Sequence, residues 1–479
     1  MIEKVRRLPS THSLRVSIDE AARAAREIAE AGAGRALDAP RGLHKDKLEA
    51  RRRVHVSGLK GSSPVLVAEA IRQALGKSIL LVYPDDEAAQ DATSDFRTLS
   101  NGHVVHFPER ALAPHRFELR ENLAAGGDRN ESLLKILNGG ADVVVTSVLG
   151  FIEKTIPRAQ LASHQRTLAT GDTLDLDDLR DHLIDMGYDA VTVIEEAGQF
   201  AVRGAIVDVF DPAWDYPARV ELDGDDIASI RSFDLDTQRS IQALQTCTLL
   251  PAGSVPLDSE ATSHLRAYLK QRGFDAGLIE KIADEAEHSR SSYVWRRYAP
   301  ALGMTGSLLE FFTEPPIVWF VDGEGTNRVL ANLTRDFARN AQRAEDEFPP
   351  LALADYVHPI DHVRSHAAPV VVHWALLDGS ITTAPSSDAA AVPADRLEPP
   401  GDDEASVRFQ TASHPSVAGK LDPLLKQIKS LRAKGVDAMI YSETPTQRDR
   451  LADMLGEDEL LVHLPVGWIA SGFIWEQAG

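Results

Sequence analysis

Three runs of alternating apolar and polar residues crowd into the stretch Phe200–Arg239: Phe200 to Val209, Ala218 to Leu222, and Ile227 to Phe233. Period-2 alternation sends successive side chains to opposite faces, so each run predicts a half-buried strand. Asp211-Pro212 ends the first run, and Asp223-Gly224-Asp225 separates the second from the third. Asp-Gly favours a tight hairpin, so the runs are expected to lie side by side and antiparallel.

The chain around this block has a different rhythm. Short apolar strands are expected at Val54 to Val56, Ser78 to Tyr83, Val104 to Phe107 and Asp142 to Thr146, with helices from Pro64 and from about Asp85 between them. Similar strands recur at Pro316 to Val321 and Val370 to Trp374. Alternating strands and helices imply a parallel sheet covered on both faces. The expected fold class is α/β: a parallel-sheet domain with an inserted antiparallel-sheet α+β domain and a small C-terminal α/β domain.

The expected boundaries are 1–156 with 252–378 for the discontinuous first domain, and 157–251 for the insertion, which opens with a helix at Leu176 to Met186. A Ser/Ala/Pro/Asp-rich linker follows at 379–404, then the small domain at 405–479. The last contains a strand at Val407 to Phe409, a helix from about Gly419 to Lys434, a strand at Asp437 to Tyr441 and a helix boxed by Thr444 and Gln447. Ser17 with Glu20 predicts a further helix start near the N-terminus.

Charge and cysteine narrow the function. Lys and Arg number 51 against 72 Asp and Glu, a net charge of −21. Such a surface repels a phosphate backbone, so strong autonomous DNA binding is not expected. Cys247 is the only cysteine, which forbids an internal disulfide and fits a reducing cytoplasm. No run approaches the ~18 apolar residues of a membrane helix. His103 with His106, and His358 with His362, lack the ligand company that zinc needs, so no metal is expected. No nucleophile elbow or acid/base pair stands out, and no catalytic residue is assigned.

A phosphate-binding loop would follow the first strand, and Gly58-Leu59-Lys60-Gly61-Ser62-Ser63-Pro64-Val65 occupies that place. Its chemistry is missing. Ser63 replaces the second Gly of the motif, Pro64 the phosphate-neutralising Lys, and Val65 the magnesium-holding hydroxyl. Pro64 also removes one N–H from the cradle. Gly58, Gly61, Ser62, Ser63, Pro64 and Val65 therefore read as a degenerate structural turn, with no cofactor and no ATP expected.

Arg203 and Arg219 lie in the predicted strands. They form either a solvated face paired with nearby acids or a docking face for a partner's carboxylates. The surrounding block resembles the UvrA-binding domain shared by UvrB and the transcription-repair coupling factor. The matching residues are Phe200, Arg203-Gly204, Ile206 to Phe210, Tyr216-Pro217, Arg219, Asp225-Asp226-Ile227, Phe233-Asp234 and Thr237-Gln238-Arg239. The resemblance implies that Arg203 and Arg219 contact UvrA; Phe200 or Leu222 is expected to lend apolar support. Asp223 stands where the coupling-factor pattern often has Phe, and lacks that apolar contact.

The rest of the chain resembles the same family. UvrB carries an intact phosphate loop and the coupling factor a degraded one, so the first domain is expected to be a degenerate RecA/P-loop-like domain. Asp322-Gly323-Glu324-Gly325 falls where UvrB-like chains place Asp-Glu-Ser-His. Phe107 to Arg120 falls where UvrB carries a DNA-clamping hairpin, and is too short to form one. The implied function is a non-catalytic adaptor that recruits UvrA, in a chain resembling the coupling factor's N-terminal module with its third domain. Contact with RNA polymerase and the ATP-driven translocase are expected to reside in family domains absent here. The alternatives are an ATP-dependent DNA translocase or an orphan scaffold.

Overall fold

The computed structural model describes residues 53–100, 102–110, 123–253, 261–288, 293–343, 349–362, 370–374, 397, 405–414, 421–436, 438–456 and 462–475. The expected helix from Ser17, the segment beyond Arg110 compared with a DNA-clamping hairpin, and all of the expected linker except Leu397 lie outside these residues.

The first four strands are β1 (Arg53–Ser57), β2 (Ile79–Tyr83), β3 (Val104–Phe107) and β4 (Val143–Ser147), separated by helices Ser63–Leu75, Asp86–Leu99 and Leu123–Leu137. The chain then enters the inserted unit. Here β5 (Arg166–Ala169) precedes a helix, Leu176–Asp185, whose first N–H groups are capped by the Asp175 carboxylate. Six strands follow and form one sheet: β6 (Asp189–Ala190), β7 (Gln199–Arg203), β8 (Ile206–Val209), β9 (Ala218–Asp223), β10 (Asp226–Phe233) and β11 (Ser240–Leu244). β12 (Thr246–Leu249) pairs back with β5. Beyond the insertion come β13 (Ile317–Phe320), β14 (Val370–Trp374) and β15 (Ala405–Arg408).

The large sheet has the order β15-β1-β14-β13-β2-β4-β3, and every pairing in it is parallel. Its residues alternate between two cores. Leu80, Val82 and Val144 face one apolar layer, while Ile79, Leu81, Val143 and Val145 face the other. Coverage on both faces explains why these strands read as continuous apolar runs rather than alternating ones.

Two expectations at the C-terminal end need correction. The strand expected to open the small domain is β15, and it adds to the large sheet beside β1. Parallel pairing to β1 satisfies an edge that would otherwise be bare. The linker is also not a bare tether throughout. Leu397 is buried against helix Gly323–Arg343, and its N–H and C=O both bond the Asn327 amide, at 2.7 and 2.9 Å. Beyond β15, helices Leu421–Ala433 and Pro445–Leu455 form, the second with the predicted Thr444/Gln447 box.

The insertion is fastened to the body. Asn130 Nδ2 donates to the carbonyls of Pro251 and Gly253, each at 3.1 Å. Gly127 abuts Pro212 and Ala213 so closely that a Cβ would lie 2.7 Å from backbone atoms. At the neck, the Asp211 carboxylate accepts from Tyr188 Oη, Leu250 N–H and Ala213 N–H. No helix among the described residues is long and apolar enough to cross a membrane.

Candidate functional site

The run expected as one strand, Phe200 to Val209, is two. It folds back after Arg203, where Gly204 adopts φ +62°, a left-handed conformation that costs glycine little. The Arg203-Gly204 pair is thus a hairpin tip. The next turn, at Gly224 with φ +63°, is the predicted Asp-Gly hairpin, and Asp223 pairs with Asp226 across it.

Register decides what each face carries. Phe200, Val207, Val209, Val220, Leu222 and Ile230 share the face that packs on Leu179 and Leu183 of the preceding helix. Phe200 is 1% exposed and Leu222 9%. The two apolar residues expected to support a partner are therefore core residues, held on the helix side by strand parity. Asp223 is exposed at the hairpin beside them.

The opposite face carries a row running Ala201, Asp208, Arg219 and Arg231 across neighbouring strands. Asp208 is its centre. Arg219 Nε and Nη2 donate to the two Asp208 oxygens at 2.6 and 2.9 Å, and Arg203 Nη2 donates to the same carboxylate at 2.5 Å. Side-chain exposure is 2% for Asp208, 15% for Arg219 and 46% for Arg203. The hydrogen bonds to Asp208 raise the Arg219 pKa above its ordinary value, so this guanidinium stays charged.

The arginines are not equivalent. Arg219 also stacks over the Phe233 ring at 4.3 Å and donates to Gln238 Oε1 at 2.9 Å. Gln238 has φ +58°, the one non-glycine left-handed residue described. The turn holding it is built by Asp234, whose Oδ1 accepts from Thr237 N–H and whose carbonyl accepts from Gln238 N–H. The Phe-Asp…Thr-Gln signature thus folds into a bracket around Arg219. Arg231, directly opposite Arg219, is neutralised by Glu221.

At the Pro64 turn, the C-terminal segment enters a place that sequence reading missed. Ser62 N–H donates to the Ser471 carbonyl at 2.9 Å, and Ser471 N–H donates to Ser62 Oγ at 3.2 Å. Gly61 lies so near that a Cβ would sit 2.6 Å from the Gly472 oxygen. Trp475 reaches the core under the large sheet and packs edge-on against Phe409, with centroids 5.7 Å apart. Ala470 N–H donates to Asp95 Oδ1 at 2.7 Å, and Trp468 N–H to Thr98 Oγ1 at 3.2 Å. Asp322 caps helix Gly323–Arg343 through Gly325 N–H, at 2.9 Å. No local sequence signal marks Ser471 and Gly472 as partners of a turn about four hundred residues earlier, or Trp468 and Ala470 as partners of helix Asp86–Leu99.

Burial pushes the Asp95 carboxyl up to about 6, against the opposing hydrogen bonds from Ser62 and Ala470. A carboxyl raised from 3.8 binds its proton more tightly in the folded state. Its contribution is complete below the unfolded value and lost as pH rises through about 6. Asp95→Asn removes that dependence. Urea unfolding should therefore show wild-type stability, relative to Asp95→Asn, falling by about 2 kcal/mol between pH 4 and pH 7 once partial solvation is allowed for. A flat difference would refute the burial of this charge.

Among the described residues no group of three His, Cys, Asp or Glu side chains could hold a metal ion. His358 and His362 stack with ring centroids 4.3 Å apart instead. Burial pushes the Cys247 thiol up to about 12, which suppresses its thiolate.

Comparison with known proteins agrees with this architecture at the sheet that bears the arginines. Residues 167–254 match the family model of the UvrB interaction domain, so the insertion is similar to domains of that class. Over 446 residues the chain is 27% identical to the transcription-repair-coupling factor of Myxococcus xanthus, covering 87% of this chain and 36% of that protein. The Bacillus subtilis transcription-repair-coupling factor is 26% identical over 306 residues, 61% of this chain and 26% of the relative. The chain resembles an N-terminal, UvrB-like module of such factors, and its matches span little more than a third of their length at most.

Proposed function

We propose that this chain is a non-catalytic adaptor module in DNA repair that recruits UvrA, and that the Asp208-centred arginine face is its docking surface. The observation that carries the reading is Arg203. It sits at a hairpin tip of a UvrB interaction domain with nearly half its side chain exposed, and its described hydrogen bonding uses Nη2 alone. Guanidinium donors left over in this way suit a partner's carboxylates. Because Phe200 and Leu222 are buried, the surface works through polar contacts, with Asp223 at its margin.

The parallel-sheet domain is proposed to be a degenerate RecA/P-loop-like unit that holds no nucleotide. The support is chemical. The turn lacks the phosphate-loop Lys and hydroxyl, and its Ser62 N–H already donates to Ser471. The counterpart Asp322 serves as a helix cap.

The test is co-elution of the intact chain with UvrA at two salt concentrations. A complex that forms at low salt and weakens at high salt is expected for a charge-based interface. Absence of a complex at both would refute the adaptor reading.

A further inference from the structure

We propose that Asp208 is the positioning residue of this docking surface, bracing Arg219 internally so that Arg203 is the guanidinium presented to the partner. This rests on the adaptor reading above. Three observations lead to it. Asp208 is almost wholly buried yet accepts from both arginines, so it cannot meet a partner itself. Arg219 is held by a two-point carboxylate fork, by Gln238 and by the Phe233 ring, and little of it reaches solvent. Arg203 has a single described contact, on the oxygen that also accepts from Arg219 Nη2.

The consequence is a division of labour. The Asp208–Arg219 pair is the fixed frame. Arg203 leans on it through Nη2, which selects among the rotamers of a long side chain and directs its remaining donors outward. A carboxylate on the partner then meets an arginine already ordered, and less conformational entropy is lost on binding. The surface should prefer an acidic side chain over a phosphate cluster, because Asp208 leaves two guanidiniums with a net charge of only one.

Charge and positioning predict opposite outcomes for one substitution. Asp208→Asn makes the face more positive, so a simple charge attraction would bind UvrA as well or more tightly. Positioning predicts capture weaker by about tenfold, the cost of ordering two long side chains anew. Gln238→Asn is a gentler second variant. Asn tolerates the left-handed conformation but is too short for the same reach to Arg219, so a loss of about threefold is expected.

A second readout needs no partner: exchange of the guanidinium N–H protons followed by nuclear magnetic resonance in the free chain. Slow exchange at Arg219, faster in Asp208→Asn, together with weaker UvrA capture, supports the assignment. Unchanged or tighter capture overturns it. Weaker capture with Arg219 exchange unaltered overturns it as well, because Asp208 would then act by another route. If the unmutated chain captures no UvrA, the adaptor reading fails, and the exchange measurement alone still supports or overturns the bracing of Arg219.

Discussion

Arg203→Ala is expected to weaken capture of UvrA by roughly ten- to a hundredfold, the range for losing charge-assisted hydrogen bonds at an interface. Stability should hardly change. Arg219 keeps both of its bonds to Asp208, so the buried carboxylate stays compensated. Arg219→Ala, by contrast, leaves Asp208 with Arg203 alone, and should lower both capture and stability. The double alanine variant should abolish capture, yet it is the less informative experiment, since Asp208 would be buried without a cation and unfolding could account for the loss. Calorimetric titration of each single variant with UvrA, beside its thermal melt, separates the two effects. Undiminished affinity in Arg203→Ala would remove this residue from the interface.

Arg129→Ala is expected to destabilise the parallel-sheet domain by about 3–5 kcal/mol, the usual cost of stranding one half of a buried ion pair. Arg129 lies 3.1 Å from Glu153, over the Phe107 ring at 4.2 Å, and donates to the Pro108 carbonyl. Glu153 is fully buried and also accepts from Arg110 N–H at 2.8 Å. Burial already pushes the Glu153 carboxyl up to about 7 and draws Arg129 down to about 10. Without Arg129 the carboxyl should rise further. A raised carboxyl pKa means that stability is complete below the unfolded value of 4.5 and is lost as pH climbs through the folded one. The deficit of the variant should therefore be smaller at pH 5 than at pH 8, as read by urea unfolding. Replacing the pair together, as Arg129→Met with Glu153→Leu, should recover most of the loss. A deficit equal at both pH values would show that Glu153 does not carry the cost.

Much of this was readable in the chain. Periodicity marks the runs that hold β7 to β10, and the apolar runs expected at 78–83, 104–107 and 142–146 form strands of the large sheet. Capping chemistry located the helix after Thr444. The signature residues of the insertion were visible as a group, but their roles were not. Alternation reveals that Phe200 shares a face with its strand neighbours, not that this face meets the helix. The single run to Val209 concealed a hairpin, because one glycine in a strand pattern signals a bulge as readily as a turn.

Local sequence by itself determined the element types, the eroded chemistry of the Pro64 turn and the presence of two arginines in successive strand-forming runs, since period, breakers and side-chain identity act over a few residues. Only tertiary structure decided that Asp208 binds both arginines, that β15 joins the large sheet, and that Ser471 and Gly472 lie against the turn after β1. Those are contacts across strand register or across the length of the chain. They depend on where burial of apolar surface brings distant segments together, and no short window of residues contains that information.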